Sequence, residues 1–405
     1  MTTTIEWDSQ ARQFHLRNSR ISYVMAVLED GSLGQLYLGP ALALGRSYRH
    51  LLPGQFRGFS NRLGDPIRLE YPSAGSGDFR VPAVEVVHLD GSTVLELRYA
   101  EHNVRAGKPP IPGLPSTYVE ADDEAESLEV ILVDAPSGLE VGLRYTIFAD
   151  HPVISRSVRF RNGGRDAVRL TCAMSASLDL PDADWDLLQL SGTWAGERQV
   201  FKRHLAPGRQ SISSRRGASS HQHNPFIALL RPATTEELGE AIGLSLVYSA
   251  NFLADVEVDA HGTTRARIGI DPETFAWNLE PGEEFHTPEA VIAYSDAGLG
   301  ALSEAYHRLY RERLARGRWR DRPRPVLINN WEGTYFDFDE ARLIEIARLA
   351  GEMGVELFVL DDGWFGERDD DTSSLGDWFV HRTGVRGLVF SHRCQARPRN
   401  IYYKA

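Results

Sequence analysis

The first 295 or so residues read with a period of two. In LEVGLRYTIF, Leu139, Val141, Leu143, Tyr145 and Ile147 fall on one side of an extended chain and Glu140, Arg144 and Thr146 on the other, as a strand with one buried face requires. Asp150 and Pro152 break the run, which resumes to Phe160; RNGGRDA then supplies a turn and VRLTCAMSASLDL restores the pattern, so successive antiparallel strands are expected. Such segments, divided by Gly, Asn, Asp and Pro, recur up to Ser295. A single sheet that wide would leave a face unburied, which predicts a large antiparallel sandwich of two sheets over residues 1–295.

Beyond Ser295 the period changes. Leu299, Leu302, Tyr306 and Leu309 recur at helical spacing, and the Arg-rich run before Gly317 suits a helix C-terminus. RDRPRP then reads as the end of a helical linker spanning 296–324. From 325 to 380 the order is strand, helix, strand. VLINN and VELFVL are expected as buried strands. Between them Asp337 and Glu340 suggest a capping box, Leu343, Ala347 and Ala350 an apolar helix face, and Gly354 a stop. Two such strands should be parallel, joined by a right-handed crossover.

Composition narrows the function. Hydrophobic residues make up 42% and charged residues 25% of the 405, a globular mixture. The net charge of -12 argues against a nucleic-acid partner, because a phosphate-binding face must be basic. MTTTIEWDSQARQF lacks the basic start and apolar core of a signal peptide, and no run approaches the roughly 18 apolar residues of a membrane span. Cys172 and Cys394 are isolated, with no metal-binding spacing, so a reducing cytoplasm is the expected setting.

Two clusters sit at the carboxyl ends of the expected parallel strands, where α/β proteins bind ligands: NNWE, with Trp331, and DDGWFG, with Asp361 and Asp362. An indole beside carboxylates suits a sugar, because the ring faces C–H bonds while the oxygens accept hydroxyl protons. Consecutive aspartates on a strand point to opposite faces and are badly placed to bracket one glycosidic bond. They read as hydroxyl acceptors. A metal site is the rival, without a third ligand at suitable spacing, and a solvated turn is the plain alternative. His221 and His223, two apart, are expected to be hydrogen-bonded structural residues rather than metal ligands, and Trp194 and Trp277 to lie in the sandwich core or an interface. GSGDFR lacks the following helix of a dinucleotide loop.

The segment from PVLINNWEGTYFDF to VELFVLDDGWFGERDDDTSSLGDWFV resembles the start of the catalytic barrel in the family 36 glycoside hydrolases, the bacterial α-galactosidases. RGASSHQHNPFIALL, GLSLVYSANF, FAWNLEPGEEFHTPEAVIAYSDAGLG and EYPSAGSGDFRVPAVEV are similar to its N-terminal β-supersandwich. The resemblance implies a multi-domain chain, a supersandwich followed by the first βαβ unit of an incomplete (β/α)8 barrel, and removal of terminal α-galactose from oligosaccharides such as melibiose and raffinose with retention. It gives Trp331, Asp361 and Asp362 the galactose-binding roles, with Trp364 and Asp377 shaping the pocket, and neither metal nor organic cofactor. It also implies a homo-oligomer in which the sandwich lends loops to a neighbour's site, GDFR being a candidate.

The family's nucleophile lies in a Lys-x-Asp type motif on a later strand, and residues 325–405 contain no such segment. A full barrel needs roughly 250 residues. The nucleophile and the acid/base aspartate are therefore expected to be missing and this chain to be inactive. Residues 381–405 carry six basic side chains and no acid, so the -12 of the whole becomes -18 for residues 1–380. That switch is expected of a shifted reading frame or truncated product, with a functional basic tail as the rival. Aggregation or disorder is expected beyond 325. The alternatives to hydrolysis are a non-catalytic galactose-binding or oligomerisation module, and an epimerase-type enzyme with a His and a carboxylate converging inside the sandwich.

Overall fold

The computed structural model describes residues 3–52, 67–75 and 77–380; the expectations about the tail, Cys394 included, lie outside the described residues. The chain divides into two compact units, Met1–Ala315 and a second beginning at Arg316.

The strands of the first unit form three sheets where two were expected. A four-stranded meander runs through Thr4–Asp8, Gln13–Arg17, Ile21–Val27 and Leu33–Pro40. A six-stranded sheet is built around Val168–Leu180, and a ten-stranded sheet runs from Leu97–Ala106 at one edge to Gly196–His204 at the other. The alternation in Leu139–Phe148 has its predicted result. Val141, Leu143 and Tyr145 stand opposite Leu132, Val130 and Leu128 of Ala125–Asp134, and all six are buried in one core shared by the three sheets. Trp194 does not join that core: it sits at a hairpin tip, 82% exposed, and Trp277 is half exposed. The tryptophan that fills the interior is Trp185.

Helix Gly298–Arg313 buries Leu302, Ala305, Tyr306 and Leu309 in a second apolar cluster with Val153, Ala241, Val291 and Ala293 of the ten-stranded sheet. Its close seat depends on Gly243, where an added Cβ would lie 2.7 Å from the Tyr306 ring.

A buried histidine gives this unit an acid sensitivity. His15 Nε2 lies 2.8 Å from Ser22 Oγ, and its Nδ1 has no partner among the described residues. Burial lowers its pKa to about 4, Glu6 opposing and Arg17 reinforcing the shift. The unfolded chain, with an ordinary imidazole near 6.5, then binds the extra proton between about pH 6.5 and 4, and stability falls as pH drops through that window. Urea unfolding at pH 7 and pH 4.5 should show the wild type losing about 2 to 3 kcal/mol more than His15→Gln. Equal losses in both proteins would remove this account.

In the second unit Leu327–Asn329 and Leu357–Val359 pair in parallel, Ile328 opposite Phe358, with helix Glu340–Glu352 between them in sequence. The strands are short and only partly covered, not buried as expected, with Val326 and Leu327 largely exposed. Among the described residues they have no further strand beside them. The helix cap also differs from the capping-box reading. Asp339, in extended conformation, accepts the Arg342 N–H at 2.8 Å, while Asp337 instead takes the Arg342 guanidinium. Leu343 and Ala350 are buried and Gly354 ends the helix with φ +89°, as the pattern requires, but Ile344, Leu349 and Met353 stand exposed.

Candidate functional site

Each parallel strand ends in a polar residue that reaches across to the other. Asn330 accepts the Asp361 backbone N–H on Oδ1 at 2.8 Å and donates from Nδ2 to Thr334 Oγ1 at 2.9 Å. Asn329 donates from Nδ2 to Asp361 Oδ2 at 2.5 Å and accepts the Trp331 N–H on Oδ1 at 2.7 Å. Two consecutive amides therefore tie the first strand end, and the start of the turn bearing Trp331, to the second strand end.

Trp331 begins the short helix Trp331–Thr334 and is fixed edge-to-face by Tyr335 and Phe336, at ring separations of 5.3 and 4.9 Å. Asp361 is exposed; its Oδ1 accepts the Asp362 N–H at 2.8 Å. Asp362 is half-buried, and its Oδ1 receives the Arg368 Nε–H at 2.6 Å and the Gly363 N–H at 3.2 Å. Gly363 has φ +91°, and a side chain there would press on Phe336 and Phe338, so glycine is required for the chain to turn away from the strand end. Trp364 follows, packed edge-to-face on the buried Phe365. Asp377 lies on an exposed turn, its N–H donating to Ser374 O at 3.1 Å.

Of the five residues named from the sequence, Trp331 and Asp361 bond directly to the strand ends, Asp362 and Trp364 follow in the turn after the second strand, and Asp377 lies in the loop beyond it. Asn329, Asn330 and Arg368 were missed. The two asparagines carried a usable signal, since an amide pair closing an apolar strand must find partners once it is covered. Arg368 carried none, because its partner is six residues away through an irregular loop.

Elsewhere, His223 Nδ1 lies 2.8 Å from Ser191 Oγ, and His221 contacts Ser220 and Gln222, so both histidines are hydrogen-bonded. In GDFR, Asp78 receives Arg80 and Arg265 Nη2, the latter at 2.7 Å, and Arg265 continues to Asp179. Burial opposes charge on Asp78, but the arginines hold its carboxyl below the usual range. Phe79, between these anchored neighbours, is 84% exposed.

Residues 31–280 match the glycosyl hydrolase family 36 N-terminal domain and residues 284–390 the melibiase family. The chain belongs to glycosyl hydrolase family 36. It is 51% identical to the α-galactosidase AgaA of Geobacillus stearothermophilus over 95% of this chain and 54% of that protein. It is 45% identical to the α-galactosidase Mel36A of Lactobacillus acidophilus over 98% of this chain and 58% of that one. A crystal structure of an AgaA variant from Geobacillus stearothermophilus in complex with raffinose superposes with TM-score 0.89 at 52% identity, covering 92% of this chain and 53% of that chain. The chain therefore spans about half the length of the relatives it matches.

Proposed function

We propose that this chain carries the galactose-recognition half of an α-galactosidase acting on terminal α-linked galactose, with Trp331 as the stacking surface, Asp361 and Asp362 as hydroxyl acceptors, and Trp364 and Asp377 shaping the pocket. The observation that carries the reading is the fastening of both aspartates at the strand ends: Asn329 holds Asp361 and Arg368 holds Asp362, so two acceptors are fixed before any ligand arrives. The solved relative in complex with raffinose supports the substrate class. The homo-oligomer belongs to the same proposal, with Phe79 offered outward, as does a reducing cytoplasmic setting, supported by only two cysteines in the sequence. Among the described residues no helix is long and apolar enough to cross a membrane. The epimerase reading is less favoured: the buried carboxylates Glu70, Asp179 and Asp255 are engaged by Arg156, Arg265 and Arg267, and the histidine of the pair His204–Asp186 is exposed.

Calorimetry with galactose tests the proposal. Saturable binding should weaken about 10- to 100-fold in Asp361→Ala or Asp362→Ala, the range expected for losing a hydrogen bond to a charged acceptor. Unchanged affinity in both variants would end it.

A further inference from the structure

Arg368 is the one buried cation of the second unit's described residues that touches a carboxylate at the strand ends; its hydrogen bonds are divided between two places, and Nη2 adds a longer ion pair to Asp371 Oδ1 at 3.8 Å. Its side chain is 5% exposed. Nε donates to Asp362 Oδ1 at 2.6 Å, while Nη1 donates to the Ser373 carbonyl at 2.6 Å. The Phe336 and Phe365 rings lie 6.0 Å from the guanidinium carbon. Segment 366–379 is folded on itself around that contact. Gly366 N–H donates to Phe379 O at 2.8 Å, Glu367 N–H to Ser374 Oγ at 3.0 Å, and Ser373 Oγ to Glu367 O at 3.1 Å. One planar guanidinium thus joins Asp362 to the far limb of the loop that bears Asp377.

The two oxygens of Asp362 are unequally used. Oδ1 takes both Arg368 Nε–H and the Gly363 N–H, whereas no donor among the described residues reaches Oδ2. A carboxylate held by one oxygen loses most of its torsional freedom and presents the other in a fixed direction. Lysine could not reproduce this, because a single ammonium on a flexible stem does not span both acceptors in a fixed fork.

We propose that Arg368 is a positioning residue for sugar recognition: by occupying Oδ1 it aims Oδ2 of Asp362 at one ligand hydroxyl, and by holding the Ser373 carbonyl it keeps loop 366–379 in register with that acceptor. This rests on the reading of Asp362 as a sugar-binding carboxylate. Arg368 itself makes no contact with the ligand.

The test is a double-mutant cycle on the full chain, with galactose and its monodeoxy analogues as probes in calorimetry. Arg368→Met should weaken galactose binding about 10-fold or more, the scale of a lost charge-assisted hydrogen bond. In an Asp362→Ala background the same substitution should cost much less. The deoxygalactose that Asp362→Ala fails to weaken should be the one that Arg368→Met fails to weaken. Arg368→Lys should recover little, and methylguanidinium added to Arg368→Ala should restore part of the binding; these two variants carry the test if Arg368→Met does not fold. Equal losses from Arg368→Met with and without Asp362 would overturn the proposal, leaving a purely structural part in the loop. Wild-type affinity in Arg368→Met would overturn it as well. Should Asp361→Ala and Asp362→Ala bind as the wild type does, the sugar-site reading itself falls and the proposal with it, an outcome distinct from failure at Arg368 alone.

Discussion

Replacing Arg156 by methionine should remove about 3 to 5 kcal/mol from the stability of the sandwich unit, measured by urea unfolding at pH 7. Arg156 and Glu70 are both fully buried, 2.9 Å apart. Tyr23 donates its hydroxyl to the Glu70 carboxylate at 2.7 Å and Tyr145 at 2.8 Å, and Arg156 also donates to the Ser177 and Glu70 carbonyls. The cluster joins strands of all three sheets. Burial raises the Glu70 carboxyl and the Arg156 guanidinium opposes it; burial would likewise depress Arg156, and the Glu70 charge more than reverses this. Methionine would leave a carboxylate with two phenols but no counter-charge. The native state of the variant should then hold a proton on Glu70 that the unfolded chain releases, so its deficit should shrink as pH falls from 7 toward 5. Arg156→Met/Glu70→Gln should recover most of the loss, because the uncompensated charge and not the missing attraction dominates the cost. A single-variant loss below about 1 kcal/mol would show that the pair adds nothing to the fold.

The second large effect concerns turnover. A purified 405-residue chain should release nitrophenol from a nitrophenyl α-galactoside no faster than its Asp361→Ala/Asp362→Ala variant. Cleavage with retention needs two carboxyl groups about 5 to 5.5 Å apart on either side of one bond, and inversion about 6.5 to 9.5 Å. Asp361 and Asp362 are adjacent in the chain and committed to different partners, Asn329 and Arg368, and the proposed role of both is to accept sugar hydroxyls. The sequence from 325 onward supplies no Lys-x-Asp segment to replace them. Release by the wild-type chain clearly faster than by the double variant would overturn this expectation.

What the pattern of residues disclosed depended on how local its cause was. Leu139–Phe148 was readable because each inward side chain meets a cross-strand neighbour of the same kind, and the helix stripe from Leu302 to Leu309 because one apolar face meets one sheet. The division into three sheets was not readable, since it depends on which distant strands pair, and alternation is blind to pairing. Asp337 and Asp339 compete for the same cap two residues apart; the backbone of Asp339 is extended with ψ 173°, and that conformation, invisible in composition, decides it. The core alternative for Trp194 failed because a large ring is usually buried, whereas a hairpin tip has nothing within this chain to bury it. At the site the carboxylates and the indole announced themselves, while Arg368, whose role lies in which carboxylate oxygen it occupies, could emerge only from geometry.

Phe79 bears on the association proposed above. Of its flanking residues, Asp78 is held by Arg265, and Arg80 is tied to Asp78 and the Ile67 carbonyl, so the backbone that carries the ring is already anchored while the ring faces water. A surface closing over such a ring gains its apolar area without first having to immobilise a wandering loop. Any encounter made there should therefore be governed by how quickly it comes apart, not by slow rearrangement beforehand.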